Sequence, residues 1–208
     1  MEFDPGHVEK FLAPYLREDR KAGFLEALKD FPPKKPFYCN LDDPDPLQGD
    51  CWSGVTVIDF GTGSRDQVKG LVLSNSCDVA SDNQRHRPVG LNFAPIIALV
   101  NYRALLMQGL RDPSKVESHM ADVRDQKISS IFYLPDVGEL GGESLVLLDN
   151  VHTVPLDYFS RQADKRRIFA LSDVAFWLFM FKLSFHFCRL HENVDRTPPE
   201  ARGEVPGE

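Results

Sequence analysis

Cysteine is sparse in this chain, and no two cysteines have the spacing of a redox or zinc motif. The 4 cysteines among 208 residues are Cys39, Cys51, Cys77 and Cys188, and no CxxC occurs. Small disulfide-rich domains and structural zinc sites both depend on closely spaced cysteines. We therefore expect reduced thiols, no disulfide framework and no bound metal.

Long apolar runs and the motifs of several enzyme classes are also absent. The most apolar stretch, residues 174–181, is far shorter than the roughly 20 residues that span a bilayer. The first residues have neither the basic nor the apolar region of a secretory signal. A Gly-rich phosphate loop, HExxH and GxSxG are missing, which argues against nucleotide hydrolases, zinc proteases and α/β-hydrolases. We expect a cytoplasmic protein with no cofactor and no membrane partner.

An excess of positive charge is missing as well. Lys and Arg number 24 against 31 Asp and Glu, which gives a net charge of −7. No global basic field is available to hold nucleic acid by neutralising phosphates, so any nucleic-acid contact must be local. Hydrophobic residues make up 42% of the chain, which is enough for a real core.

Composition divides the chain into four parts. Residues 1–33 place apolar side chains at spacings of three and four, which predicts an N-terminal helical extension. Residues 34–48 hold several prolines and an acidic run and predict an extended linker that packs little. Residues 49–194 predict the main domain. Residues 195–208, rich in proline and glycine, predict a disordered tail.

Within the main domain, short apolar runs bounded by Gly, Asn, Asp or Pro predict strands. These runs are residues 51–60, 70–75, 89–99, 128–134, 143–148 and 151–154. Helical spacing predicts a helical insertion at 101–127, and Ser172 is a candidate N-cap for a long last helix. That helix is apolar on all sides over 174–181, so more than one neighbour must cover it, and a homodimer through it is expected. The fold class is α+β with a small antiparallel barrel.

The order of these motifs resembles the MazF/PemK toxin family over about residues 49–190. Residues 49–60, which begin Gly-Asp-Cys-Trp and end Val-Ile-Asp-Phe, are similar to the opening strand of the family. Residues 63–67 fall at its first long loop. The best local match is residues 143–154, followed by 165–168 and 171–173. The resemblance implies a small SH3-like antiparallel β-barrel with a C-terminal helix.

The same resemblance implies a toxin or bacterial defence endoribonuclease. Such a protein cleaves single-stranded RNA in a groove that a homodimer completes and a cognate antitoxin blocks. Family nucleases carry an Arg at the start of the second strand and a Thr or Ser at the end of the third. Here those places hold Val68-Lys69-Gly70 and Ile96-Ile97. Lys69 is therefore the nearest cation, and it lacks the planar guanidinium with which Arg binds a phosphate through two hydrogen bonds. The alternative is a catalytically inactive barrel that binds protein or nucleic acid in a toxin–antitoxin or phage-defence complex.

The loop after the predicted second strand carries the strongest candidates for chemistry. Residues 74–78 read Ser-Asn-Ser-Cys-Asp, and Arg85, His86 and Arg87 follow. Cleavage of RNA through its 2′-hydroxyl needs a base, an acid and cations around the phosphate. Asp78 or His86 can serve as the base, His86 as the acid, and the two arginines can bind phosphate. Alternatively, Asp78 and the serine two residues before it cap a turn, and the arginines are solvated.

Cys77 has three interpretations: a small buried side chain, a nucleophile or a metal ligand. As a nucleophile it would need a histidine nearby, and His86 and His152 are the candidates. His152 lies in the best-matching segment, where it would contact RNA or decorate an exposed strand.

A basic segment precedes the last helix. Residues 161–167 contain four basic residues and one aspartate, and two aromatic residues come shortly before them. Lys165, Arg166 and Arg167 are therefore candidates for binding a single strand of RNA. The alternative is a solvated connector.

Overall fold

The computed structural model describes residues 36–83, 86–110, 112–136 and 138–187. The predicted helical extension at 1–33 and the predicted tail at 195–208 lie outside the described residues. The described chain has an α+β fold, in which an antiparallel sheet curls into a half-barrel and helices cover it. The prediction of an α+β fold built on an antiparallel, barrel-like sheet is confirmed at this level.

Within the described residues the sheet has eight strands, and all of their pairings are antiparallel. The strands are β1 (Tyr38–Cys39), β2 (Cys51–Ile58), β3 (Arg65–Val72), β4 (Gly90–Ala98), β5 (Ile131–Leu134), β6 (Ser144–Leu147), β7 (His152–Pro155) and β8 (Arg167–Leu171). Their order is β1-β8-β2-β3-β4-β6-β5, and β7 also pairs with β4. The helices of the described residues are α1 (Ser76–Val79), α2 (Leu99–Leu110), α3 (Pro113–Arg124), α4 (Leu156–Ser160) and α5 (Asp173–Phe187).

The turn between β2 and β3 differs from the long loop that the family resemblance implies at residues 63–67. Strand β3 already begins at Arg65, which pairs with Ile58. The compact turn over 59–64 is held by Asp59, whose Oδ1 accepts hydrogen bonds from the Thr62 amide at 2.7 Å and the Thr62 hydroxyl at 2.9 Å. These bonds also hold the pKa of Asp59 below its ordinary value. The expectation of a long loop at 63–67 is therefore wrong.

Part of the predicted linker belongs to the core. Tyr38 and Cys39 form β1, which pairs with β8, and the buried ring of Phe37 lies 6.0 Å from that of Phe132. The prediction that residues 34–48 pack little is wrong for 37–39. A two-residue strand is too short to show an alternating pattern, and its partner lies 132 residues further along the chain. Only the tertiary pairing reveals it.

The predicted helical insertion is present as α2 and α3, which lie between β4 and β5. The side chain of Asp112 caps α3, accepting from the Ser114 amide at 3.0 Å. Val116, Met120 and Val123 on the inner face of α3 are buried. They form one hydrophobic cluster with residues of β5 and β6, so the insertion packs against the sheet.

Helix α5 begins one residue after the predicted N-cap. The Ser172 hydroxyl accepts a hydrogen bond from the Ala175 amide at 3.4 Å, as an N-cap side chain does. The inner side of α5 is buried in the cluster that lies between the sheet and this helix. On its outer side, Trp177 is 41% exposed and Phe187 is 56% exposed. Within the residues that the structure describes, no helix is both long and apolar enough to cross a membrane.

Lys182 is a buried cation on α5. Its side-chain ammonium donates to the backbone oxygen and to Oε1 of Gln126, both at 2.9 Å. Gln126 follows α3 in a left-handed conformation, with φ of 58°. Its side chain also bonds the backbone of Tyr133 on β5, so one residue joins α3, β5 and α5. Burial lowers the pKa of Lys182 to about 7.

Replacing Lys182 by methionine is expected to remove a rise in stability between pH 7 and pH 9. In this range the unfolded lysine keeps its proton while the folded one loses it, so the unfolded state binds more protons. The free energy of unfolding therefore increases with pH, at up to about 1.4 kcal/mol per unit. Below pH 7 both states are protonated, and Lys182 contributes no pH dependence. Denaturant unfolding at pH 6, 7, 8 and 9 measures the slope.

The matched control for this experiment is Lys115→Met, since the Lys115 side chain is 74% exposed. It should leave the slope unchanged. Burial also raises the pKa of Tyr38 and Cys51, so both groups reduce stability in alkaline solution, and because they do so equally in both proteins the difference between the slopes isolates Lys182. If the free energy of unfolding rises equally with pH in the wild type and in Lys182→Met, the buried lysine is not the source of the rise.

Candidate functional site

Two segments that are separated in the sequence line one pocket, at the end of β3 and the start of β4. The pocket has a volume of about 360 Å³ and is lined by Leu73, Ser74, Asn75, Asp78, Arg87, Val89, Gly90 and Asn92. Two predicted site residues, Asp78 and Arg87, are thus brought to the same pocket. Both are exposed to solvent. His86 is also exposed and adjoins Arg87 in the chain, but it does not line the pocket. Arg85 lies outside the described residues.

Helix α1 positions Asp78. The Asn75 side chain caps this short helix by accepting a hydrogen bond from the Cys77 amide at 3.0 Å. Val79 is buried in the core, which anchors the helix and leaves Cys77 and Asp78 on its outer side. The capping residue is therefore Asn75, whereas the sequence suggested Asp78 and its serine neighbour. The hydroxyl of that serine, Ser76, instead accepts from the Gln48 amide at 2.9 Å.

Two hydrogen bonds to Asn92 connect the pocket residues on neighbouring strands. The Ser74 hydroxyl accepts from the Asn92 amide at 2.8 Å, which ties the end of β3 to β4. On the adjacent strand, the Thr153 hydroxyl donates to Asn92 Oδ1 at 2.6 Å. Thr153 also leaves no room for a side chain at position 90, where the chain has glycine, since a Cβ there would lie 2.7 Å from the Thr153 methyl group. The pocket therefore has a defined wall on the β4 and β7 side.

Cys77 is exposed, so its interpretation as a small buried side chain is wrong. It does not line the pocket that Asp78 and Arg87 share. Among the residues that the structure describes, no group of three or more His, Cys, Asp or Glu is placed to hold a metal ion.

His152 lies away from the pocket. Its ring stacks on Phe93 with a centroid distance of 5.7 Å, and its Nε2 is 3.1 Å from Asn150 Oδ1. Successive side chains of a strand point to opposite faces, and the neighbouring Thr153 contacts Asn92 on the pocket side. His152 therefore faces the other side of β7, and the structure does not bring it to Cys77.

Three basic candidates outside the loop make contacts away from the pocket, and two of them meet at Glu139. Lys69 donates to the Glu139 backbone oxygen at 2.8 Å, and Arg166 forms an ion pair with the Glu139 carboxylate. Lys165 donates to the backbone oxygen of Ser160. None of these three side chains lines the pocket described above. Exposed pairs of this kind contribute little to stability.

Arg167 has a structural role. Its Nε donates to the buried Asp50 carboxylate at 2.8 Å, and its other nitrogens donate to the backbone oxygens of Leu41 and Asp45. The guanidinium lies 4.9 Å from the ring centre of Trp52. Burial raises the pKa of Asp50, and this outweighs the lowering by the Leu47 amide and Arg167. All three guanidinium nitrogens are engaged inside the protein.

The segment that Arg167 holds also supports the pocket loop. Asp45 Oδ2 accepts a hydrogen bond from the Ser81 amide at 2.7 Å, just after α1. The Gln48 side chain donates to the Leu73 backbone oxygen at 2.8 Å, at the end of β3. Residues 41–48, the acidic, proline-rich segment, thus connect β8 to the loop that carries Asp78, and we call this segment the brace.

The sequence analysis assigns no site role to Asn75, Asn92 or Thr153. Asn92 did have a signal, because it is a polar amide inside an otherwise apolar strand. Its proximity to Asn75 and Asp78 depends on the pairing of β4 with β3, and the spacing of these residues along the sequence does not indicate it.

No protein-family model matches the chain, and a search of curated proteins finds no significant match.

Proposed function

We propose that this protein is an endoribonuclease that cleaves single-stranded RNA at the pocket formed by Asp78 and Arg87. The observation that carries the proposal is that a carboxylate and a guanidinium, from the two ends of the connection between β3 and β4, line the same concave site. The supporting argument is chemical: a carboxylate can accept a proton, and Arg can bind a phosphate through two hydrogen bonds. The SH3-like, MazF/PemK-like identity of the half-barrel belongs to the same proposal.

The proposed reaction is an internal transesterification. Asp78 takes the proton of a ribose 2′-hydroxyl, and the resulting oxygen attacks the adjacent phosphorus. Arg87 stabilises the negative charge that develops on the phosphoryl oxygens. His86 donates a proton to the departing 5′-oxygen. The products are a 2′,3′-cyclic phosphate and a 5′-hydroxyl.

A second candidate is a binding module without catalysis. The specific observation in its favour is the outer side of α5, where Trp177 and Phe187 are 41% and 56% exposed. Large aromatic side chains are enriched at protein interfaces. In this alternative the helix contacts a second copy of the chain or an antitoxin-like protein.

The test is incubation of the purified chain with a mixed-sequence single-stranded RNA, followed by sequencing and chemical analysis of the ends. We expect cuts with 2′,3′-cyclic phosphate ends. The double variant Asp78→Ala/His86→Ala should produce none. If the wild type and the variant leave the RNA equally intact over a range of pH and added metal ions, the endoribonuclease proposal is wrong and the binding module is favoured.

A further inference from the structure

Two asparagine side chains line the pocket with their hydrogen-bonding roles already set. Asn75 Oδ1 accepts from the Cys77 amide at 3.0 Å, and Asn92 Oδ1 accepts from the Thr153 hydroxyl at 2.6 Å. A backbone N–H can only donate, which fixes the orientation of the Asn75 amide. Asn75 therefore retains its NH₂ donor for a ligand, and Asn92 retains its own while the Thr153 hydroxyl occupies its oxygen.

Asn75, the N-cap of α1, and Asn92, on β4, both line the pocket. Its volume of about 360 Å³ is in the range of small-molecule sites. A ligand that fits must offer a hydrogen-bond acceptor at each end of the edge that faces the two amides. On its Watson–Crick edge uracil has a carbonyl oxygen at each end, whereas cytosine, guanine and adenine each carry an amino donor at one end.

We infer that the pocket binds a uracil base, so that the protein selects RNA at uridine. This inference rests on the proposed function, because it uses the same pocket and the same class of substrate. The amides of Asn75 and Asn92 donate to O2 and O4. Cytosine replaces O4 by an amino group, which leaves one amide donor facing another donor, and a desolvated donor without an acceptor is costly.

Binding of fluorescent oligonucleotides that cannot be cleaved tests the inference. The probes are 2′-fluoro oligo(U), oligo(C) and oligo(A), which lack the attacking hydroxyl, together with oligo(dT) and oligo(dC). We expect oligo(U) to bind at least about tenfold more tightly than oligo(C), from the cost of one unsatisfied donor. The two DNA probes show whether the sugar also contributes, since thymine carries the same two carbonyl oxygens.

Two isosteric variants test the donors themselves. Asn75→Asp and Asn92→Asp keep the oxygen that accepts from Cys77 or Thr153 but replace the donor by an acceptor. Asp is also a good N-cap, so α1 is retained in the first variant. We expect the ratio of oligo(U) to oligo(C) affinity to fall about tenfold in each. Asn150→Asp, which adds the same charge outside the pocket, should leave the ratio unchanged.

The outcomes separate this inference from the proposed function. Equal affinity for oligo(U) and oligo(C) in the wild type overturns the uracil assignment, even if natural RNA is cleaved. A preference for oligo(U) that both Asp variants retain also overturns it. A preference that the variants abolish supports it, and if natural RNA then stays intact, the endonuclease proposal alone fails.

Discussion

Replacing Arg167 by methionine is expected to lower the free energy of unfolding by about 3–5 kcal/mol. The Asp50 side chain is only 2% exposed, and Arg167 is the cation that pairs with it. Methionine preserves much of the packing against Trp52 but leaves a buried carboxylate without its partner. The lost hydrogen bonds to the backbone of Leu41 and Asp45 add to the effect and release the brace behind the pocket loop.

Urea unfolding of the wild type, Arg167→Met and Arg166→Met measures this loss. Arg166 is the matched control, because it is the adjacent residue and its ion pair with Glu139 is exposed. Its loss should cost less than about 1 kcal/mol. Burial raises the pKa of Asp50, and the loss of Arg167 removes an interaction that lowers it, so acidification neutralises the unpaired carboxylate and the defect of Arg167→Met should shrink. Equal stabilities of the two variants would contradict the structural role.

Replacing Asp78 by asparagine is expected to lower the rate of RNA cleavage by about 10²–10⁴-fold, the usual contribution of a general base. Asparagine has the same size and keeps a hydrogen-bonding oxygen, but it cannot take the proton of the 2′-hydroxyl. Affinity for RNA should change much less than the rate. Single-turnover cleavage at saturating RNA gives the rate, and anisotropy with a 2′-fluoro oligonucleotide gives the affinity.

The control for this substitution is Asp82→Asn, which removes the same charge from an exposed position outside the pocket lining. It should cleave at the wild-type rate. If Asp78→Asn cleaves as fast as Asp82→Asn, Asp78 is not the base. If both variants are slow, the effect belongs to the charge of the loop and not to proton transfer.

The site illustrates how far local chemistry can be read from sequence. A loop with Asp78, His86 and Arg87 was predicted from residue types alone, and the structure places Asp78 and Arg87 at one pocket. Arg167 was grouped with Arg166 because adjacent basic residues look equivalent in a sequence. The structure separates them: Arg167, the first residue of β8, faces the buried Asp50, whereas Arg166, just before the strand, meets Glu139 at the surface.

The amino-acid sequence by itself determined the antiparallel strands, the helical insertion and the long apolar helix α5, because local periodicity and capping carry that information. Only the tertiary structure decided that residues 37–39 join the sheet, that Asn75 and Asn92 share a pocket, and that Arg167 binds Asp50. Each of these depends on pairing between distant segments. Such pairing is selected by the burial of the whole core, and no short window of residues specifies it.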